Sequence, residues 1–200
     1  MKKDLTSVME SRRSYYSINS KSPISDEEIK KIVDHAVLHV PSAFNSQSAR
    51  IVVLLGDKHK KLWDIVKKIL KSMVSLEAYP DTEAKIDNAF RAGHGTILFY
   101  ENQSVVEGLQ NVFPSYSDNF PVWSQHTSAM HQYAIWLMLR EAGLGASLQH
   151  YNPIIDKEVE KEFNINPKWK LIAQMPFGTP VAEPNPKEFQ PLEGRVTILK

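Results

Sequence analysis

The chain has 200 residues, 42% of them hydrophobic and 24% charged, the ordinary balance of a globular domain able to bury a core. Lys and Arg number 24 against 23 Asp and Glu, and a net charge of +1 argues against nucleic acid or another polyanion as the main partner. There is no cysteine, which excludes disulfides, thiolate metal sites and cysteine nucleophiles. No apolar run is long enough to span a bilayer and the opening Met-Lys-Lys-Asp-Leu-Thr has no apolar signal core, so the expectation is a soluble, cytoplasmic protein.

Residues 4–12 read as a short helix with Leu5, Val8 and Met9 on one face, followed by Arg12-Arg13-Ser14-Tyr15-Tyr16. Ser25, with Glu28 three residues on and acids in the first turn, predicts a capping box. That helix carries Ile29, Ile32, Val33, Ala36 and Val37 inward and stops before Pro41. A polar loop, Pro41 to Arg50, then runs into a β-branched strand over 50–56. An amphipathic helix is expected over 58–76, a shorter one over 82–92, a strand over 94–100 and an irregular stretch over 108–120. Residues 124–142 form the longest helical signal, apolar around nearly its whole circumference, which suits a subunit interface in a chain this small. Gly143-Leu144-Gly145 ends it. A strand over 146–149, a helix over 155–163, a strand over 170–175, a proline-rich crossing and a last strand over 195–199 complete the chain. Helices outnumber strands and do not alternate with them, so the class is α+β, one domain over 1–200.

Asn45 and Gln47 each offer a donor and an acceptor, as the edge of a planar heterocycle with alternating C=O and N–H groups would require; a turn satisfied by its own side chains is the plainer account. Arg12, Arg13 and Ser14 suit a phosphate, although paired arginines also end solvated helices. Gly143-Leu144-Gly145 is no dinucleotide fingerprint, since the third glycine would fall at Leu148 and the segment follows a helix. His35 and His39 are spaced to chelate, but no third ligand is placed; His126 and His131 diverge. No G-x-S-x-G or acid pair suggests hydrolysis, and the lysines of 58–71 lack interleaved aromatics.

Taken in order, Arg12-Arg13-Ser14-Tyr15-Tyr16-Ser17, the 42–50 loop, the long apolar helix with Gly143-Leu144-Gly145-Ala146-Ser147-Leu148-Gln149-His150-Tyr151-Asn152, and a late Pro-Lys segment resemble the FMN-dependent nitroreductase family. The wording is similar to its smaller branch of copper-induced and fungal oxidative-stress members. The resemblance implies a central mixed, mainly antiparallel sheet flanked by helices, in an intertwined homodimer with two FMN sites at the interface. It also implies NAD(P)H as hydride donor and ping-pong reduction of nitro compounds or quinones. By the same resemblance, Arg12, Arg13, Ser14 and Lys187 meet the FMN phosphate. Pro41, Ser42, Asn45 and Gln47 line the isoalloxazine ring, partly that of the partner, and Gln149 and His150 lie beside the ring near N5. Tyr16, within the cofactor segment, stands where many members have Arg or Lys, and Phe189 where many have a second basic residue. Lys85 or Arg91 is then the candidate cation beside N1/O2. Phe44, Phe113, Tyr116, Phe120 and Trp123 are available to wall a substrate pocket, or to form a satellite core under a loop. No catalytic acid or nucleophile is expected, because flavin carries the chemistry. Two alternatives stand beside this reading: a flavin-binding stress or regulatory protein of the same fold with slow turnover, and a cofactor-free interaction protein built on the 124–142 helix.

Overall fold

The computed structural model describes residues 4–200. Helix α1 (Leu5–Ser11) starts at an Asp4 cap that accepts from the Ser7 amide. It leads through the arm 12–17 into a two-residue strand, β1 (Ile18–Asn19). Helix α2 (Asp26–His39) begins with the expected capping box, Ser25 and Glu28 each bonding the other's backbone amide. Strand β2 (Ala49–Leu55) passes straight into α3 (Gly56–Lys71), a turn that Gly56 makes at φ +54°. Then come α4 (Tyr79–Ile86), a π-helical turn over Asp87–Arg91 and β3 (Gly95–Asn102).

Two expectations fail in the next stretch. Residues 103–112 are helix α5 (Gln103–Val112), capped by the Asn102 side chain accepting from Ser104. The long helix α6 (Asn119–Glu141) begins well before 124, because Pro121 falls in its first turn, where a proline removes no internal hydrogen bond. Short β4 (Gly145–Ala146), α7 (Asp156–Phe163) and β5 (Trp169–Pro180) follow. Strand β5 outruns the expected 170–175 because Pro176 loses only a donor: its carbonyl still accepts from Ser147 N at 3.2 Å. The expected strand over 195–199 is not formed; Val196, Ile198 and Leu199 are exposed and no strand lies beside them.

The sheet order is β1-β5-β3-β2, every pair antiparallel, with β4 added on β5 and a single parallel bridge from Ser14 to Ala146. Strand β3 is buried almost throughout because both its faces are covered, and its middle is the apolar run Ile97 to Phe99. Leu98 and Tyr100 point to a core with Leu62, Trp63 and Val66 of α3 and Ile155 and Val159 beside α7. Ile97 and Phe99 point to the other core, with Ile29, Val33 and Ala36 of α2 and Ile135 and Leu139 of α6. The buried side of α6 is mixed: Phe120, Ile135 and Leu139 are buried along with Ser124, Thr127, Ser128, His131 and Gln132, while Met130 and Tyr133 are 42% and 41% exposed.

Candidate active site

The arm after α1 is fixed at both ends. Arg12 N closes α1 on Val8 O, and Ser14 and Tyr15 run beside β4, with Tyr15 N donating to Ala146 O at 3.0 Å. The Arg12 guanidinium stacks 4.5 Å over the Trp136 ring, and its Nε is buried without a hydrogen-bond partner among the described residues. Arg13 donates from Nη2 to Asn185 O, which draws the C-terminal segment, and Lys187 two residues on, to the arm. Lys187 is exposed, its ammonium over the Phe189 ring at 4.9 Å, so Phe189 shields a cation where a second one was expected. Between them, buried Tyr15 donates its hydroxyl to Glu183 at 2.8 Å, with the Arg140 guanidinium 5.0 Å over its ring.

Gln149 and His150 sit on the strand-like continuation of β4. Gln149 exchanges backbone hydrogen bonds with Gln174 at 2.7 and 2.9 Å, and its side chain donates to Ser147 Oγ. His150 is exposed. Gln174, fully buried on β5, sets this segment: its Oε1 accepts from Tyr151 N at 2.7 Å and its Nε2 donates to Asn152 Oδ1. Tyr16 is half-exposed and lies 6.2 Å from Phe90 of the π-helical turn, itself 6.3 Å from Tyr151. The turn therefore borders both the arm and the 149–152 segment. Its Arg91 is held in a two-pronged pair with Asp64 at 2.9 and 3.3 Å, and Lys85 is exposed.

The 41–50 loop is a tight structure of its own. A 3-10 turn over Ala43–Asn45 follows Pro41 and Ser42, and Phe44, Asn45 and Gln47 all have φ between 49° and 56°, the left-handed region that non-glycine residues seldom enter. Ser42 Oγ accepts from Gln47 N, and Arg50 donates to the carbonyls of Gln47 and Ala49. The effect is to turn Asn45 and Gln47 into solvent. The five aromatics do gather: Phe44 lies 4.9 Å from Phe113, 5.3 Å from Phe120, 5.9 Å from Tyr116 and 6.0 Å, stacked, from Trp123. The elsewhere-placed His35 and His39 stack on each other at 4.4 Å on α2.

The arm meets α6 at Trp136 and Arg140, whereas the aromatic cluster meets it at Phe120 and Trp123. At 1.5 Å rise per residue, the two groups lie about 20 Å apart along one helix. They are two separate groups, candidate half-sites at opposite ends of one helix.

The model of the nitroreductase family matches residues 9–179. The chain belongs to the nitroreductase family. The Saccharomyces cerevisiae nitroreductase FRM2 is 33% identical over 180 residues, 89% of each chain. The Lactococcus lactis nitroreductase CinD, solved in complex with nicotinic acid, chloramphenicol or 4-nitrophenol, superposes with a TM-score of 0.91 for the first of these. That match is 42% identical over 98% of this chain and 100% of the other. An Exiguobacterium sibiricum protein in complex with FMN shares the nitroreductase fold at a TM-score of 0.71 and 14% identity, with 98% of each chain covered. Members of the family named as oxidoreductases thus share this chain's fold from end to end. Glu101, Gln174 and Arg140 gave no motif signal; the one trace of Gln174 is an amide inside the apolar run Leu171 to Phe177.

Proposed function

We propose that this nitroreductase-family chain is an FMN-dependent oxidoreductase that takes hydride from NAD(P)H and reduces nitroaromatic compounds or quinones by a ping-pong mechanism, as a homodimer with two flavin sites. The observation that carries the reading is the separation of the two half-sites along α6. A second copy running across that helix would bring its 41–50 loop to the first copy's arm, and the outward Met130 and Tyr133 give it an apolar face to cover. A groove of about 420 Å³ lined by Leu5, Val8, Ala36, Val40, Leu137 and Met138 continues that face.

The residues fit FMN. The unpartnered Arg12 Nε, the Arg13 fork and Ser14 are donors in excess of what the chain itself satisfies, as a phosphate monoester requires. Bound flavin would supply the hydride chemistry. Around it, Arg12, Arg13, Ser14 and Lys187 would hold the phosphate, and Gln149 and His150 would border the ring. Asn45 and Gln47 of the second copy would meet its polar edge, and the Phe44 cluster would exclude water from the open face. CinD's complexes with 4-nitrophenol and chloramphenicol support a nitroaromatic acceptor. The slow-turnover reading draws on Phe189, Tyr16 and the Arg91–Asp64 pair, which together leave few free cations near the ring. The absorbance spectrum and elution volume of the purified protein test cofactor and assembly together: bound-flavin bands on a dimer are expected, and a colourless monomer that takes up no FMN would overturn the proposal. Oxidation of NADH with a nitroaromatic, compared with free FMN, separates turnover from the slow alternative.

A further inference from the structure

The Glu101 side chain on β3 is fully buried. Ser48 Oγ lies 2.6 Å from its Oε2, and its Oε1 has no hydrogen-bond partner among the described residues. Ala49 pairs with Glu101 in the β2–β3 register and Asn102 N donates to Ser48 O, so the 41–50 loop enters the sheet directly over this carboxyl. Ser46 Oγ is 3.5 Å beyond Ser48 Oγ, and both serines face a small pocket shared with Phe120 and Trp123. A carboxylate here would be a buried charge with one hydroxyl donor and one bare oxygen. A neutral carboxyl can instead donate to Ser48 Oγ and free the Ser48 proton to turn toward Ser46.

The charged groups around it do not change that preference. Arg50 on β2 favours the ionised form, but its Nη1 donates to the Gln47 and Ala49 carbonyls and it makes no hydrogen bond to Glu101 among the described residues. Lys170, opposite Glu101 on β5, is exposed. His131 of α6, on the other side of the loop, donates from Nδ1 to Thr127 O, and burial lowers its pKa. Desolvation dominates and pushes Glu101 up to about 7.

We infer that Glu101, in its neutral form, is the positioning residue of the 41–50 loop: through Ser48 it holds Phe44, Asn45 and Gln47 in their left-handed conformations, and its deprotonation loosens them. Strained backbone of this kind persists only where the surroundings over-determine it. The consequence for flavin rests on the function proposed above; the hold on the loop does not. Hydrogen exchange of amides 43–48 in the full chain, corrected for intrinsic rates, tests it at pH 6 and pH 8. The wild type should open about tenfold more at pH 8, from a carboxyl titrating near 7 when closed and near its ordinary value when open. Glu101→Gln, whose neutral amide can still donate to Ser48, should restore the closed loop and abolish the pH step. If that variant does not fold, Ser48→Ala should exchange fast at both pH values without a step. A wild type with no step, or a step that survives in either variant, would overturn the inference. FMN titration of the same samples keeps the two ideas apart: a wild type that binds no flavin but shows the step would sink the proposed function and leave Glu101 standing.

Discussion

Arg13 is the residue on which the phosphate assignment turns, since its fork already reaches the C-terminal segment at Asn185. Arg13→Ala should weaken FMN retention by about 1.5–3 kcal/mol, the range for a hydrogen bond to a charged group, read as flavin lost on gel filtration. Unchanged occupancy would remove the arm from the site. Two buried titratable groups set the pH response. His59, between Thr96 Oγ1 and Arg91 O, has its pKa lowered by burial to about 4, so the stability it gives as a neutral ring is present above 6.5 and lost as pH falls toward 4. Glu101 runs the other way: its contribution is complete below 4.5 and lost as pH rises through about 7. The two slopes offset one another between about pH 4.5 and 6.5. Glu101→Gln removes one of them, so its stability relative to wild type should rise by about 3 kcal/mol from pH 4.5 to 8, measured by urea unfolding. At this scale Arg12, Arg13, Asn45 and Gln47 were visible in the sequence as unspent polar groups. Glu101 and Gln174 were not, because a single polar residue in a strand carries no period, and what makes it special is burial.

The elements that were legible are those with strong local signals: the capping box of α2, the β-branched run of β2, the doubly covered β3. Those misread were decided by prolines and by partners. Pro121 sits harmlessly in the first turn of α6, and Pro176 lies inside β5, where its carbonyl is still used. The apolar girdle read around α6 resolves into a buried side that mixes Ile135 and Leu139 with Ser124, Thr127, Ser128, His131 and Gln132, and an exposed side that carries Met130 and Tyr133. Gln174 links β5 to the 149–152 segment with two side-chain bonds. Gln174→Leu should cost about 1–3 kcal/mol, since it leaves the half-buried Tyr151 amide and Asn152 side chain without their partner. Under the proposed function it should also raise KM for the acceptor, through looser placement of Gln149 and His150. A loss of stability with unchanged kinetics would make Gln174 a strut for the fold alone.

For the whole molecule the decisive geometry is the length of α6. Under the proposed function, candidate half-sites about 20 Å apart would make assembly and cofactor binding one equilibrium. Tyr133→Glu, on the outer face and therefore tolerated by the folded chain, should elute as a monomer and lose flavin together, with far-UV circular dichroism unchanged. A flavin-loaded monomer would place both half-sites on one chain after all. The sequence suggested this only through the resemblance and the interface reading of 124–142, because the separation itself is a distance between motifs and not a property of either. The sheet also imposes an order of events. Strands β2 and β3 are near neighbours in the chain, but β1 pairs with the end of β5, and Arg13 reaches Asn185 across 172 residues. On the ribosome, β1 has no partner strand until β5 has emerged, although the arm beside it can already meet α6 and β4. Arg13, whose partner Asn185 lies beyond β5, is therefore the last of the arm's cations to be placed, and under the proposed function flavin is retained only after that segment has docked.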